Sequence, residues 1–91
     1  MLVCKLEREL PNSSSGATRK LWRISHAGEV QYVITSAVSV AFTGPETYVF
    51  AATEDGEVSD WLELDGSFRG AFDHERAIEG YVESLTEGAE Q

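Results

Sequence analysis

The sequence predicts an α+β fold: a curved antiparallel β-sheet, a meander of four to five strands, with one C-terminal α-helix packed on its apolar face. Three observations point there. Apolar and polar residues alternate with period two over much of the stretch from Leu2 to Ala52. Turn-forming pieces ("HAG", "GPE" and two "DG" pairs) separate the alternating runs. A single stripe of apolar residues at helical spacing lies between Asp73 and Gly88.

The elements follow in chain order. In "MLVCKLEREL", Leu2, Cys4, Leu6 and Leu10 share one parity, and Val3, Lys5, Glu7 and Glu9 share the other; this is a half-buried strand, expected at a sheet edge. Residues 11–19, "PNSSSGATR", read as a flexible loop. "KLWRISHAGEVQYVITSAVSVAF" reads as a hairpin. A three-residue loop of His26, Ala27 and Gly28 sets Trp22 against Tyr32 and Ile24 against Val30, like against like. A two-residue loop would set Trp22 and Ile24 against residues of the wrong parity and is rejected. A second loop at Gly44–Glu46 sets Phe42 against Tyr48 and Val40 against Phe50. Asp55-Gly56 then turns the chain, "VSDWLEL" supplies a short fifth strand, and Asp65-Gly66 is the next turn. Asp73 is the expected N-cap of the helix, with Phe72 and Ala77 at staple positions. Ile78, Tyr81, Val82 and Leu85 form the buried stripe, Gly80 costs the helix about 1 kcal/mol relative to Ala, and Gly88 is the expected stop. Residues 87–91 read as a frayed tail.

Ninety-one residues make one domain, 1–91, able to fold around its own core without metal or disulfide. Cys4 is the only cysteine, which fits a reducing compartment. The first ten residues lack the basic-then-apolar layout of a signal peptide. The most apolar stretch, "YVITSAVSVAF", is too short to span a bilayer, so no membrane association is expected.

Net charge is −9, unevenly placed. Residues 1–53 hold five Lys/Arg against four Asp/Glu; residues 54–91 hold two against twelve, so the halves carry +1 and −10. Such a surface repels nucleic acid and anionic lipid and attracts basic partners. Direct nucleic-acid binding is therefore not expected. The aromatics Trp22, Tyr32, Phe42, Tyr48 and Phe50 read as core under the helix, because a base-stacking surface needs positive charge around it.

The search for chemistry finds no convergent site. "EDGEVSDWLELDG" carries six carboxylates, but its glycines directly follow the aspartates, as turns require, and it lacks the alternating ligands and terminal Glu of a calcium loop. Cys4, His26 and His74 do not form a thiol-based pair by position; Cys4 sits on an apolar parity, and His74 sits where the helix N-terminus disfavours imidazolium. No metal, cofactor or catalytic residue is expected, and the chain reads as a non-enzyme. One charge pattern stands apart: Glu75, Glu79, Glu83 and Glu87 stack at i, i+4 beside the apolar stripe, although like charges at this spacing cost a few tenths of a kcal/mol each. The candidate partner-contact residues are Glu75, Glu79 and Glu83 of this column, with Asp60, Trp61 and Asp65 of the acidic segment.

From Phe42 to Tyr81 the chain resembles a family of small proteins encoded by bacteriophages of mycobacteria and other actinobacteria. "GPETYVF", "DGEVSDW", "ELDGSFRG" and "DHE", in this order and spacing, carry the resemblance over about 40 residues. Where members commonly have Pro after the Phe of "YVF", this chain has Ala51; where they commonly have Gly after the Trp, it has Leu62. The family has no assigned enzymatic activity, so no catalytic residue is carried over. The resemblance implies expression in the cytoplasm of a bacterial host and, by analogy, an accessory protein that binds and modulates a host protein. An acidic mimic of nucleic acid, sequestering a DNA-binding protein, is the competing expectation. A homodimer is compatible with either.

Overall fold

The structure, a computed structural model, describes residues 2–89, with side chains through Thr86. Strands β1 (Val3–Leu10), β2 (Thr18–His26), β3 (Glu29–Val40), β4 (Gly44–Ala52) and β5 (Val58–Asp60) form an antiparallel meander in that order; β6 (Phe68–Arg69) pairs with β4, and helix α1 (His74–Ala89) follows. The fold is α+β, and β1 lies at the sheet edge.

The hairpin registers differ from those the sequence predicts. Strands β2 and β3 pair Trp22 with Val33, Leu21 with Ile34 and His26 with Glu29, leaving a two-residue loop. Ala27 (φ 52°) and Gly28 (φ 81°) both take positive φ, the turn type whose twist suits paired strands. A sheet with one buried face would favour the three-residue loop. In fact both rows are buried: Trp22, Ile24 and Val33 toward the helix, Leu21 and Ile34 on the opposite face. The next loop is Ala41–Thr43, so Ile34 rather than Val40 faces Phe50, and Gly44, Pro45 and Glu46 belong to β4. Pro45 is tolerated close to the start of its strand. Phe42 is left fully exposed at the loop tip with φ 72°.

The core between helix and sheet holds Trp22, Ile24, Val33 and Val49 against Ala77, Ile78 and Tyr81, with Val82 and Leu85 packed at its margin. Of the five aromatics expected beneath the helix, only Trp22 is there. By register, Tyr32, Tyr48 and Phe50 project from the other face. That face is concave. Strand β1 is bulged between Leu6 and Arg8, which turns Arg8 and Leu10 onto the same face as Leu21. Arg8 Nη2 donates to the Asp55 carbonyl at 2.8 Å. In a flat sheet β1 and β4 would stand about 14 Å apart, three strand spacings, so this contact requires the sheet to curl.

Asp73 caps α1 as expected, its carboxylate accepting from the Arg76 backbone N–H at 3.0 Å. The staple does not form: Phe72 stays largely exposed while Ala77 is fully buried. Gly80 has a packing reason. A Cβ there would meet the Gly66 Cα at 3.0 Å, and a Cβ on Gly66 would collide with the Ala77 carbonyl and the Tyr81 nitrogen. The two glycines let the 65–66 turn press directly on the helix, which offsets the propensity lost at Gly80. The helix runs past Gly88 to Ala89; Glu90 and Gln91 of the expected frayed tail lie outside the described residues. The expected loop 11–19 ends earlier, because Thr18 and Arg19 belong to β2. It is tied down: Ser13 Oγ accepts from the Ala17 N–H, and Arg19 donates to the Pro11 carbonyl. The fifth segment is shorter than expected, with Trp61–Leu64 outside β5.

Candidate functional site

Helix α1 lies over β3 and β4 and leaves the β1 side of its own sheet face uncovered. The gap is an open groove of about 480 Å³. Its floor is apolar: Cys4 from β1, Trp22 from β2, and Ile78 and Val82 from α1. Its wall is the acidic column, Glu75, Glu79 and Glu83, all exposed. Residues at i and i+4 share a helix flank, so the spacing read in the sequence sets these three carboxylates in a row along one groove. Among the described residues the ion pairs are Lys20–Glu9 (3.9 Å) and Arg69–Glu46 (2.9 Å), so no cation neutralises the column. The side chain of Glu87, fourth in the column, lies outside the described residues.

The other candidates are not gathered there. Asp60 ends β5, and its carboxylate accepts from the Leu62 N–H at 3.1 Å. Trp61, 74% exposed, sits edge-on to Phe50 at 5.4 Å on the opposite sheet face. Asp65 precedes Gly66, which presses on the far flank of the helix at Ala77 and Gly80. The acidic segment and the acidic column are therefore separate surfaces, close in sequence and divided by the helix in space.

Cys4 is half-buried in the groove floor, and burial pushes its thiol above the ordinary range. A thiol so shifted carries little thiolate at neutral pH and serves as a small apolar group. His74, in the first turn of α1, belongs to a polar chain that runs from the core to the surface instead. Trp22 Nε1–H donates to Thr35 Oγ1 at 2.8 Å. Thr35 Oγ1 also meets His74 Nδ1 at 2.7 Å, and His74 Nε2 meets Thr18 Oγ1 at 3.1 Å. Burial lowers the His74 pKa, and the Lys20 ammonium lowers it further. Among the described residues no three His, Cys, Asp or Glu side chains converge as a metal site would require, and no helix is long and apolar enough to cross a membrane.

Sequence reasoning missed a second charge pattern, which appears only with the true register. Lys5, Arg8, Arg19 and Arg23 project from the concave face, and so does Arg69, which pairs with the buried Glu46. These are five of the seven cations of the chain. Glu46 is the one strand carboxylate that the register places there, with Glu7 standing at the bulge. The charge asymmetry thus runs between the two faces of the sheet as well as along the chain. The signal was present as Arg19 and Arg23 flanking Leu21 at period two, but the reading of 11–19 as a loop kept Arg19 out of the strand.

Comparison with protein-family models, curated proteins and solved structures returns no match.

Proposed function

We propose that this chain is a non-catalytic binding protein whose groove between α1 and β1 receives a basic, amphipathic segment of a protein partner. One observation carries the reading: three unneutralised carboxylates line one wall of a groove whose floor is apolar. A partner segment with an apolar face would cover Cys4, Trp22, Ile78 and Val82, while its Lys or Arg side chains met the Glu row, steering association and fixing register. The charged and bulged edge of β1, with Lys5, Glu7, Arg8 and Glu9, disfavours strand addition, so the groove is the better seat. The resemblance to small actinobacteriophage proteins makes a protein of the bacterial host cytoplasm the natural partner. The apolar floor favours this reading over mimicry of nucleic acid, because a mimic needs carboxylates alone.

The test is calorimetric titration with two synthetic helical peptides of equal charge, one with Lys opposite a Leu face and one with Lys opposite a Ser face. Wild type is expected to bind the Leu-faced peptide at least tenfold more tightly. The triple variant Glu75→Lys, Glu79→Lys, Glu83→Lys should lose binding while keeping its helix by circular dichroism, since Lys is nearly as good a helix former as Glu. Val82→Glu should lose it from the floor. Equal affinity for both peptides with steep salt dependence would favour the nucleic-acid mimic. A folded triple variant that binds as wild type does would reduce the column to a solvated face.

A further inference from the structure

The concave face holds a cavity of about 240 Å³ on the side of the sheet away from the helix. Ile34 and Val38 form its floor, and Tyr48, Phe50, Val58 and Trp61 form one wall. The wall is aromatic: Tyr48 and Phe50 stand 5.8 Å apart between ring centroids, and Trp61 meets Phe50 edge-on at 5.4 Å. Ser36 sits between Ile34 and Val38 in the floor, beside Tyr48, and the far rim is polar, made by Ser13 and Ser15 of the 11–17 loop and Arg19 of β2.

Among the described residues, Arg19 is the only charged side chain lining this cavity. Its Nε and Nη2 both donate to the Pro11 carbonyl, at 3.1 and 2.7 Å, which holds the guanidinium in place. A guanidinium has five N–H donors, so three are left without a partner among the described residues. Among the described residues no carboxylate stands within ion-pair distance of it. The buried Glu46 at the same face is already matched by Arg69 and the Tyr48 hydroxyl. A fixed, unmatched guanidinium facing an aromatic wall across a small cavity is a fork for one planar anion.

We propose that this cavity binds a small aromatic monocarboxylate, its ring against Tyr48, Phe50 and Trp61 and its carboxylate on the free N–H groups of Arg19. The volume lies somewhat below the roughly 300–1,000 Å³ of pockets for drug-sized ligands, which limits the occupant to one or two fused rings. The net charge of −9 opposes a polyanion such as a nucleic-acid strand. A monoanion inside the cavity responds mainly to charges within a Debye length, about 8–10 Å; Arg19 lines the cavity, and the Glu46 carboxylate beside Tyr48 is matched by Arg69. The site is separate from the α1–β1 groove and does not depend on it.

The experiment is a titration of the whole chain with indole-3-acetate, and in parallel with its uncharged amide, followed by the backbone and indole N–H signals in two-dimensional NMR. The expected result is saturable shifts of the Trp61 indole and of residues 34–38 and 48–50, the Trp22 indole staying still, with the acid binding at least tenfold more tightly than the amide. Arg19→Gln should erase the difference between acid and amide. Should that variant lose its loop contact and unfold, Val38→Trp, which fills the cavity from a partly exposed position, should abolish binding of both compounds. Glu75→Lys, Glu79→Lys, Glu83→Lys should leave the titration unchanged. Equal binding of acid and amide, no saturable shifts, or binding of an oligothymidylate without binding of the acid would each overturn the proposal.

Discussion

Beneath the helix, Trp22, Ile24, Val33 and Val49 are sealed by Ala77, Ile78 and Tyr81, and the buried polar atoms there are joined in a chain through Thr35 and His74. On the opposite face, Leu21, Ile34 and Phe50 are buried just as fully with no helix above them. The curl of the sheet covers them instead, by bringing Arg8 and Leu10 of β1 to the turn at Asp55 and Gly56. The two faces also differ in sign. The helix side carries the acidic column, and the concave side carries most of the cations. A single strand such as β2 thereby serves a dry core with its even residues and a basic, cavity-lined surface with its odd ones. In so small a chain, burying both rows of the central strands extracts more apolar contact from each strand than a one-faced sheet can.

The largest expected effect tests whether both faces are cores. Trp22→Ala should cost about 3–5 kcal/mol and Leu21→Ala about 2–5 kcal/mol in urea denaturation, as buried large-to-small changes do. A Leu21→Ala variant with unchanged stability would return the concave face to the status of a solvated surface. The register itself is tested by a smaller change. Ala27 pays for its positive φ, a conformation costing a non-Gly residue roughly 1–2 kcal/mol. Ala27→Asn should recover part of this, about 0.5–1 kcal/mol, because Asn-Gly suits a two-residue hairpin. In a three-residue loop Ala27 would not need positive φ and Asn would gain nothing, so a flat thermal melt contradicts the two-residue turn.

The smallest effect is pH-dependent and belongs to the helix side alone. The folded-state pKa of His74 is lowered, first by burial and then by Lys20, against the opposing pull of a hydrogen bond to the Thr35 backbone and of Asp73 and Glu9. The unfolded chain therefore binds more protons near pH 6.5 than the folded one. The resulting stability is fully present above that value. It is lost as pH falls from there through the folded-state pKa, and no further loss comes from this group below it. Thermal melts between pH 8 and 5 should show this decline in wild type, and it should be weaker in His74→Gln, which removes the titrating ring. An identical decline in the variant would remove His74 from the account.

Much of the architecture was legible in the sequence. Period-two alternation identifies the strands, the Asp-Gly pairs locate their turns, and the helical stripe behind Asp73 marks α1 and the residues it buries. The i, i+4 spacing of Glu75, Glu79 and Glu83 was enough to place them on one flank. The positions of Asp60, Trp61 and Asp65 were not legible, because a three-residue strand and two turns scatter them to different sides of the helix and sheet.

Local chemistry therefore determined which residues extend, turn and coil, since alternation, turn propensity and helical spacing act within a few residues of each other. Only the tertiary structure decided which row of each strand meets the helix. A sheet buried on both faces satisfies either parity, so the hydrophobic pattern cannot choose between loops of two and three residues; twist at the Ala27–Gly28 turn and curl across the sheet choose instead. That choice turns Trp22 toward His74 and Arg19 toward the aromatic wall. It also makes a chain that is acidic in sum present a basic face, because charge adds along the sequence while its direction is set by register.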